Sequence, residues 1–279
     1  MTVSPQRTVS FRKKTVRIML SNYTDFLIFS PLGENLIKYL FQLLQRWRMA
    51  SQPTTLPVEH HVHETVALGV GSLDKMDLTH RLDPGINLPV YLSEPLVVLH
   101  LSTAFETYQQ TRKQEWIADS FRIVRSSAAL GEIFEEATAM VLLEIFGGEP
   151  RALSDAFHCD HPWGSRKVTL VALTRTADDG VQCSPVSWTS GGSDRLGYKA
   201  TSPADVLEFF KNSNGKAFLF PDSHMGPDVM CFLRDEASKE LILVGLQAKS
   251  GVSINAQTWM SALDSVMPQF FYSQCVHHV

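Results

Sequence analysis

Several things are scarce in this sequence, and each scarcity removes a class of protein. The four cysteines, Cys159, Cys183, Cys231 and Cys275, form no CxxC pair and keep no regular spacing. A disulfide scaffold and a zinc ribbon are thereby excluded, and reduced thiols in an intracellular protein are expected. No run of 18 apolar residues occurs, so no transmembrane segment is expected. No hydrophobic region with a small-residue cleavage site follows the N-terminus, which disfavours secretion. Glycine (16) and proline (14) are too few for a collagen or a low-complexity chain, and 19% charged residues are too few for wholesale disorder. A net charge of −4 excludes a uniformly basic nucleic-acid coat but leaves room for a local basic groove.

What is present is unevenly placed. Residues 1–60 carry eight Lys/Arg against three Asp/Glu, so residues 61–279 carry seventeen against twenty-six and hold the whole of the acidic excess. Arg7, Arg12, Lys13, Lys14 and Arg17 precede the first acid, Asp25. Such a start suits a solvated arm, a mitochondrial presequence, a nuclear address or an anionic-surface contact. Three histidine clusters (59–64, 158–161 and 275–278) invite a metal reading, but none has zinc-finger or HExxH spacing. Gly69 to Lys75 has glycines and a lysine without matching GxxxxGK[ST], so a phosphate-cradling loop is rejected there.

Periodicity organises the rest. Residues 34–48 read as an amphipathic helix, with Leu36, Ile37, Leu40, Leu44 and Trp47 on one side and Lys38, Gln45, Arg46 and Arg48 on the other. Residues 51–57 look like a linker. The apolar run from Pro95 to Leu99 fits a strand or a helix start. Residues 112–124 predict a helix, and 128–146 predict a second, apolar nearly all round and stopped by Gly147-Gly148 and Pro150. A strand is expected over 166–174, then a Gly/Ser-rich loop through Ser193. Ser202-Pro203 opens a short helix that ends near Asn212.

Three strand-like runs follow, at 216–220, 228–233 and 241–249. The last two are joined by a charged turn suited to a hairpin. Both are apolar on both faces, which predicts central, covered strands. Polar residues in such strands are costly unless satisfied or used. Asp228 sits at the mouth of the second, after Gly226-Pro227, and Gln247 and Lys249 end the third, two residues apart. A hairpin would gather them at one end of the sheet, where they could hold a divalent cation and position a water for in-line attack on a phosphodiester. Plainer roles remain open: Asp228 as a turn cap, Lys249 as a strand-end lysine reaching solvent.

Pro227-Asp228, eighteen intervening residues and Gln247-Ala248-Lys249 resemble the PD-(D/E)XK nuclease signature, with glutamine in the (D/E) position. Gly131-Glu132-Ile133-Phe134-Glu135 is similar to the GxxFE helix that precedes this core. The wider context, Glu94 to Val98 and Phe146 to Gly148, looks more specifically like the nuclease module of Crinkler-type and retrotransposon-hot-spot-type eukaryotic proteins. The resemblance spans residues 94–267.

It implies an α/β restriction-endonuclease-like mixed sheet flanked by helices over 126–279. A helical linker region (61–125) and a basic arm with an amphipathic helix (1–60) would precede it as a small, mostly helical N-terminal region. It also implies a nuclease hydrolysing nucleic acid, with DNA the expected substrate and Mg2+ or Mn2+ the cofactor. Asp228 would be the main metal ligand, Gln247 a ligand through its amide oxygen or a water, and Lys249 the group that orients water. Glu135 would complete the metal shell, with Glu136 or Glu132 as substitutes. Arg166, Lys167 and Lys211 are candidate phosphate contacts. Two departures from the family pattern bear on this. Glutamine removes one negative charge from the metal site, and only 270–279 remains for a final strand, so a truncated copy is also expected. The alternative is a catalytically inactive nuclease fold that binds nucleic acid or a protein partner in an effector-like role.

Overall fold

A computed structural model describes residues 31–49, 72–73, 90–91, 95–123, 127–157, 161–178, 180–191, 194–222, 225–249 and 255–267. The N-terminal basic arm, the linker 51–57, the histidine clusters at 59–64 and 275–278, and the proposed final strand lie outside the described residues. The chain divides into two compact units. The smaller holds residues 1–47, 52–109 and 192–194, and the larger holds 48–51, 110–191 and 195–279.

In the smaller unit, α1 (Pro31–Met49) contributes all but its last two residues. Strands β1 (Ser72–Leu73) and β2 (Val90–Tyr91) pair antiparallel, and α2 spans Pro95–Glu106. The run from Pro95 is therefore helical. Phe41 meets Phe105 edge-on at 5.3 Å, beside buried Leu44, Val98 and Leu101. The amphipathic reading of α1 needs correction, because Gln45 and Arg46 on its polar side are buried as well.

The larger unit is α/β. Its elements are α3 (Gln110–Ile123), α4 (Ser127–Phe146), β3 (Arg151–Ala152), β4 (Lys167–Arg175), β5 (Val181–Pro185), β6 (Gly197–Ala200), α5 (Pro203–Lys211), β7 (Phe218–Pro221), β8 (Val229–Asp235), β9 (Leu241–Leu246) and α6 (Ala256–Val266). The strands form a mixed, mostly antiparallel open sheet flanked by helices. Its spine is the antiparallel run β4–β8–β9. β9 lines one edge of β8 throughout, while β4 and β7 share the other, β4 against 232–235 and β7 against 230–231. β6 joins β7 in parallel, and the connection between them is α5. The Gly/Ser-rich stretch expected to be loop contains β5, which pairs with the end of β4.

The helices form where local chemistry favours them. Ser202 caps α5 by accepting the Asp205 N–H, while Asp205 accepts the Ser202 N–H in return, a reciprocal capping box with Pro203 in the first turn. Asn255 caps α6 by accepting the Thr258 N–H at 2.8 Å. α4 ends where the Gly147 N–H closes on the Leu143 carbonyl. Its Ile133, Ala137, Met140 and Leu143 are buried, as the apolar circumference predicts, and it packs on β4 and β8.

On the opposite face, Val171, Leu173, Leu219, Met230 and Phe232 form a core with Val206 and Phe209 of α5, and Phe209 stacks on Phe232 at 6.0 Å. Burying a side chain of this size is worth ~1.5–3 kcal/mol, so the two-sided packing of β4 and β8 anchors the sheet. The expectation of two covered central strands holds for β8 only. Among the described residues β9 pairs with β8 alone, and Leu241 and Leu243 are exposed. Trp259 and Leu263 of α6 are also exposed, and Ala262 is its buried contact.

The start of the larger unit is held by a buried cation. The Arg48 guanidinium is fully buried, donates to the carbonyls of Trp188 and Ser190, and lies over the Trp188 ring. Ser190 therefore belongs to a structural turn. Its hydroxyl accepts the Ser187 N–H at 2.6 Å. No helix among the described residues is long and apolar enough to cross a membrane.

Candidate functional site

Antiparallel register alone brings the candidate residues together. Val229 pairs with Leu246, so Asp228 and Gln247, each one residue outside the ladder, meet where β8 begins and β9 ends. Close packing fixes that end: Gly245 lies opposite Met230, and a Cβ there would meet the Pro227 ring at 3.0 Å. The glycine lets Pro227 sit against β9 and sets the position of Asp228 next to it.

Asp228 Oδ2 accepts two N–H donors, the Gln247 side-chain amide and the Ala248 backbone at 2.6 Å. Gln247 turns its nitrogen to the carboxylate and its oxygen to Ser265 of α6, whose Oγ lies 2.5 Å from Oε1. Lys249 is exposed and close enough to favour the ionised form of Asp228. Glu135 reaches the same place from α4, within electrostatic range of Asp228, Glu132 and Lys199. Five elements thus converge: α4, β6, the mouth of β8, the end of β9 and α6. Of the three candidate glutamates, Glu135 is the half-buried one within electrostatic range of Asp228. Glu136 is buried within the core, and Glu132 is exposed.

Electrostatics here are unfavourable to two bare anions. Burial, then the nearby Asp228 and Glu132, push Glu135 up to about 7, with Lys199 opposing. Burial likewise raises Asp228 from its ordinary value, against the lowering effect of the Ala248 N–H, the Gln247 amide and Lys249. A pair of half-buried carboxylates held above its usual range is relieved by one divalent cation or by protons.

This has a consequence for stability. The unfolded carboxyl of Glu135 titrates near 4.5 and the folded one near 7, so between these values the unfolded chain binds fewer protons. Without metal, stability therefore falls as pH rises from about 4.5 to about 7 and is flat above. The full shift corresponds to about 3 kcal/mol, and solvent screening at this partly exposed group reduces it to about 1 kcal/mol. Glu135→Gln is expected to erase that slope. Urea midpoints in EDTA at pH 5 and pH 8 check it: the wild type should lose stability between them and the variant should not.

Among the described residues, no group of three His, Cys, Asp or Glu could hold a metal. The residues suited to a cation are the two carboxylates Asp228 and Glu135, a donor set for a hard ion that keeps most of its waters. Of the 158–161 cluster only His161 is described, and its ring accepts the Trp163 N–H as a cap. Cys231 is buried, which pushes its thiol up to about 12, and it is inert.

Two of the basic residues expected at the phosphate lie elsewhere. Val168 pairs with Asp235, at the far end of β8 from Asp228, so Arg166 and Lys167 sit a full strand length away. Arg166 is engaged there by Asp235 at 3.5 Å and by the Trp163 ring. Lys211 lies in the last turn of α5. Two residues not singled out in the sequence meet this cluster. Lys199 is placed by the parallel register of β6 against Phe220, on the sheet face opposite Ala200 and the α5 core. Ser265 is placed by α6.

No family model, curated protein or solved structure matches the chain.

Proposed function

We propose that the larger unit is a restriction-endonuclease-like core that hydrolyses phosphodiester bonds of nucleic acid, with DNA as substrate, using Mg2+ or Mn2+. One observation carries the reading. Asp228, Gln247, Lys249 and Glu135, spread over more than a hundred residues of sequence, come together at one end of the β8–β9 pair, with two carboxylates among them whose pKa burial raises and Asp228 adding to the rise at Glu135.

In this reading Asp228 and Glu135 hold the cation, which supplies charge neutralisation at the phosphate and lowers the pKa of a bound water. Lys249, exposed beside Asp228, meets the non-bridging oxygen of the scissile phosphate or orients the attacking water. Lys199 adds a second positive group on the Glu135 side, suited to an adjacent phosphate. The order α4, β4–β8–β9, α6 agrees with the resemblance noted in the sequence. Lys249→Ala separates catalysis from cation binding. It should reduce nicking of supercoiled plasmid about 100-fold or more while leaving the Mg2+-induced rise in Tm in place. Unchanged nicking would remove Lys249 from the mechanism.

A second reading is favoured by a specific feature. Asp228 Oδ2 is already engaged by two N–H donors, and glutamine stands where a third carboxylate would add charge. Such a site suits a nuclease fold that binds nucleic acid or a protein partner without cutting. DNA retention without cleavage in saturating Mn2+ would decide for it.

A further inference from the structure

Ser265 has an ordinary explanation that covers only half of its contacts. A helical serine commonly returns its hydroxyl to a carbonyl one turn back, and Ser265 Oγ lies 2.7 Å from the Ala262 carbonyl. The same Oγ lies 2.5 Å from Gln247 Oε1. The hydroxyl proton is shared between two acceptors, so the amide oxygen of Gln247 is held at α6. An amide held by its oxygen presents its nitrogen the other way, and that nitrogen donates to Asp228 Oδ2. The Ala248 N–H lands on the same oxygen. Among the described residues Oδ1 of Asp228 takes no hydrogen bond.

We infer that Ser265 and Gln247 are positioning residues: Ser265 orients the Gln247 amide, the amide and the Ala248 N–H pin Oδ2 of Asp228, and Oδ1 is thereby aimed at the cation. The inference rests on the proposed cation site and departs from the ligand role that the resemblance implies for Gln247, which here acts through Asp228. Reversing the amide would set its oxygen against the Asp228 carboxylate and its NH2 against the Ser265 hydroxyl. The second contact is tolerable, because a hydroxyl accepts as well as donates. The first is repulsive, and that makes the observed orientation the stable one. Partners that orient a metal-binding carboxylate typically matter 10–100-fold in metal affinity.

The test uses the full chain labelled with 15N-glutamine, with the Gln247 side-chain amide identified by its absence in Gln247→Glu. Without metal, one amide proton should be shifted downfield and protected from exchange. It should stay so in saturating Mg2+. Ser265→Ala should lose the protection and bind Mg2+ about tenfold more weakly, and Ser265→Thr, which keeps the hydroxyl, should restore both. Loss of protection on Mg2+ binding would mean that the amide oxygen has turned to the cation and would overturn the inference. Wild-type Mg2+ affinity in Ser265→Ala would overturn it as well. If no protein binds Mg2+ at all, the cation-site reading fails and this role with it. That failure is separable, because the amide signal is read first in metal-free protein.

Discussion

Asp228→Asn is expected to abolish Mg2+-dependent cleavage, by a thousandfold or more, while the chain stays folded. The asparagine keeps an oxygen that can accept the Ala248 N–H, so the backbone bond that closes the end of β9 survives. What disappears is the negative charge. The proposed cation is held by two carboxylates and water, and a neutral amide leaves Glu135 as the one anionic donor. A second readout follows from the same charge. Asp228 is one of the causes that push Glu135 up to about 7, so Asn at 228 should lower the Glu135 titration midpoint toward the ordinary glutamate range without returning it there, because burial is the larger cause. Carboxyl 13C shifts against pH in metal-free protein measure this. A Glu135 midpoint unmoved by the substitution would mean that the two carboxylates do not share a site.

The second large effect concerns the scaffold that carries Lys199. Gly197→Ala is expected to destabilise the larger unit by about 3 kcal/mol. A Cβ at this position would fall 1.9 Å from the Met49 carbonyl oxygen and 2.6 Å from Cε2 of Phe220. Overpacking a core costs ~1–3 kcal/mol where side chains can rearrange. Here the obstacle is backbone, held by the neighbouring bond from the Leu196 N–H to the Arg48 carbonyl at 2.8 Å, so the upper end applies. β6 would be pushed out of register with β7, and Lys199 with it. Chemical denaturation of the full chain measures the effect, and a loss under 1 kcal/mol would show that the junction is looser than the structure has it.

How far the site could be read from sequence depended on which physical interaction placed each residue. Asp228, Gln247 and Lys249 were legible because a hairpin needs only two apolar runs and a charged turn, and the polar exceptions then stand out. The capping residues Ser202 and Asn255 act on their own backbone and are local by nature. Lys199 was not legible, since its place depends on a parallel pairing between strands separated by α5, and nothing local announces that register. Arg166 and Lys167 misled for the same reason: strand direction sets which end of β8 they occupy, and the antiparallel pairing with β4 puts them at the Asp235 end. Arg48 fell outside the apolar stripe of the helix expected over 34–48. Its carbonyl partners are 140 residues away, where helical periodicity has no information.

Cleavage of supercoiled plasmid DNA by the wild-type chain in Mg2+, beside EDTA, Asp228→Asn and Lys249→Ala, tests the central claim most directly. The proposed site predicts nicking by the wild type in Mg2+ alone and its loss in EDTA and in both variants. Equal activity in all three proteins, or none from a wild type that binds Mg2+, would contradict it.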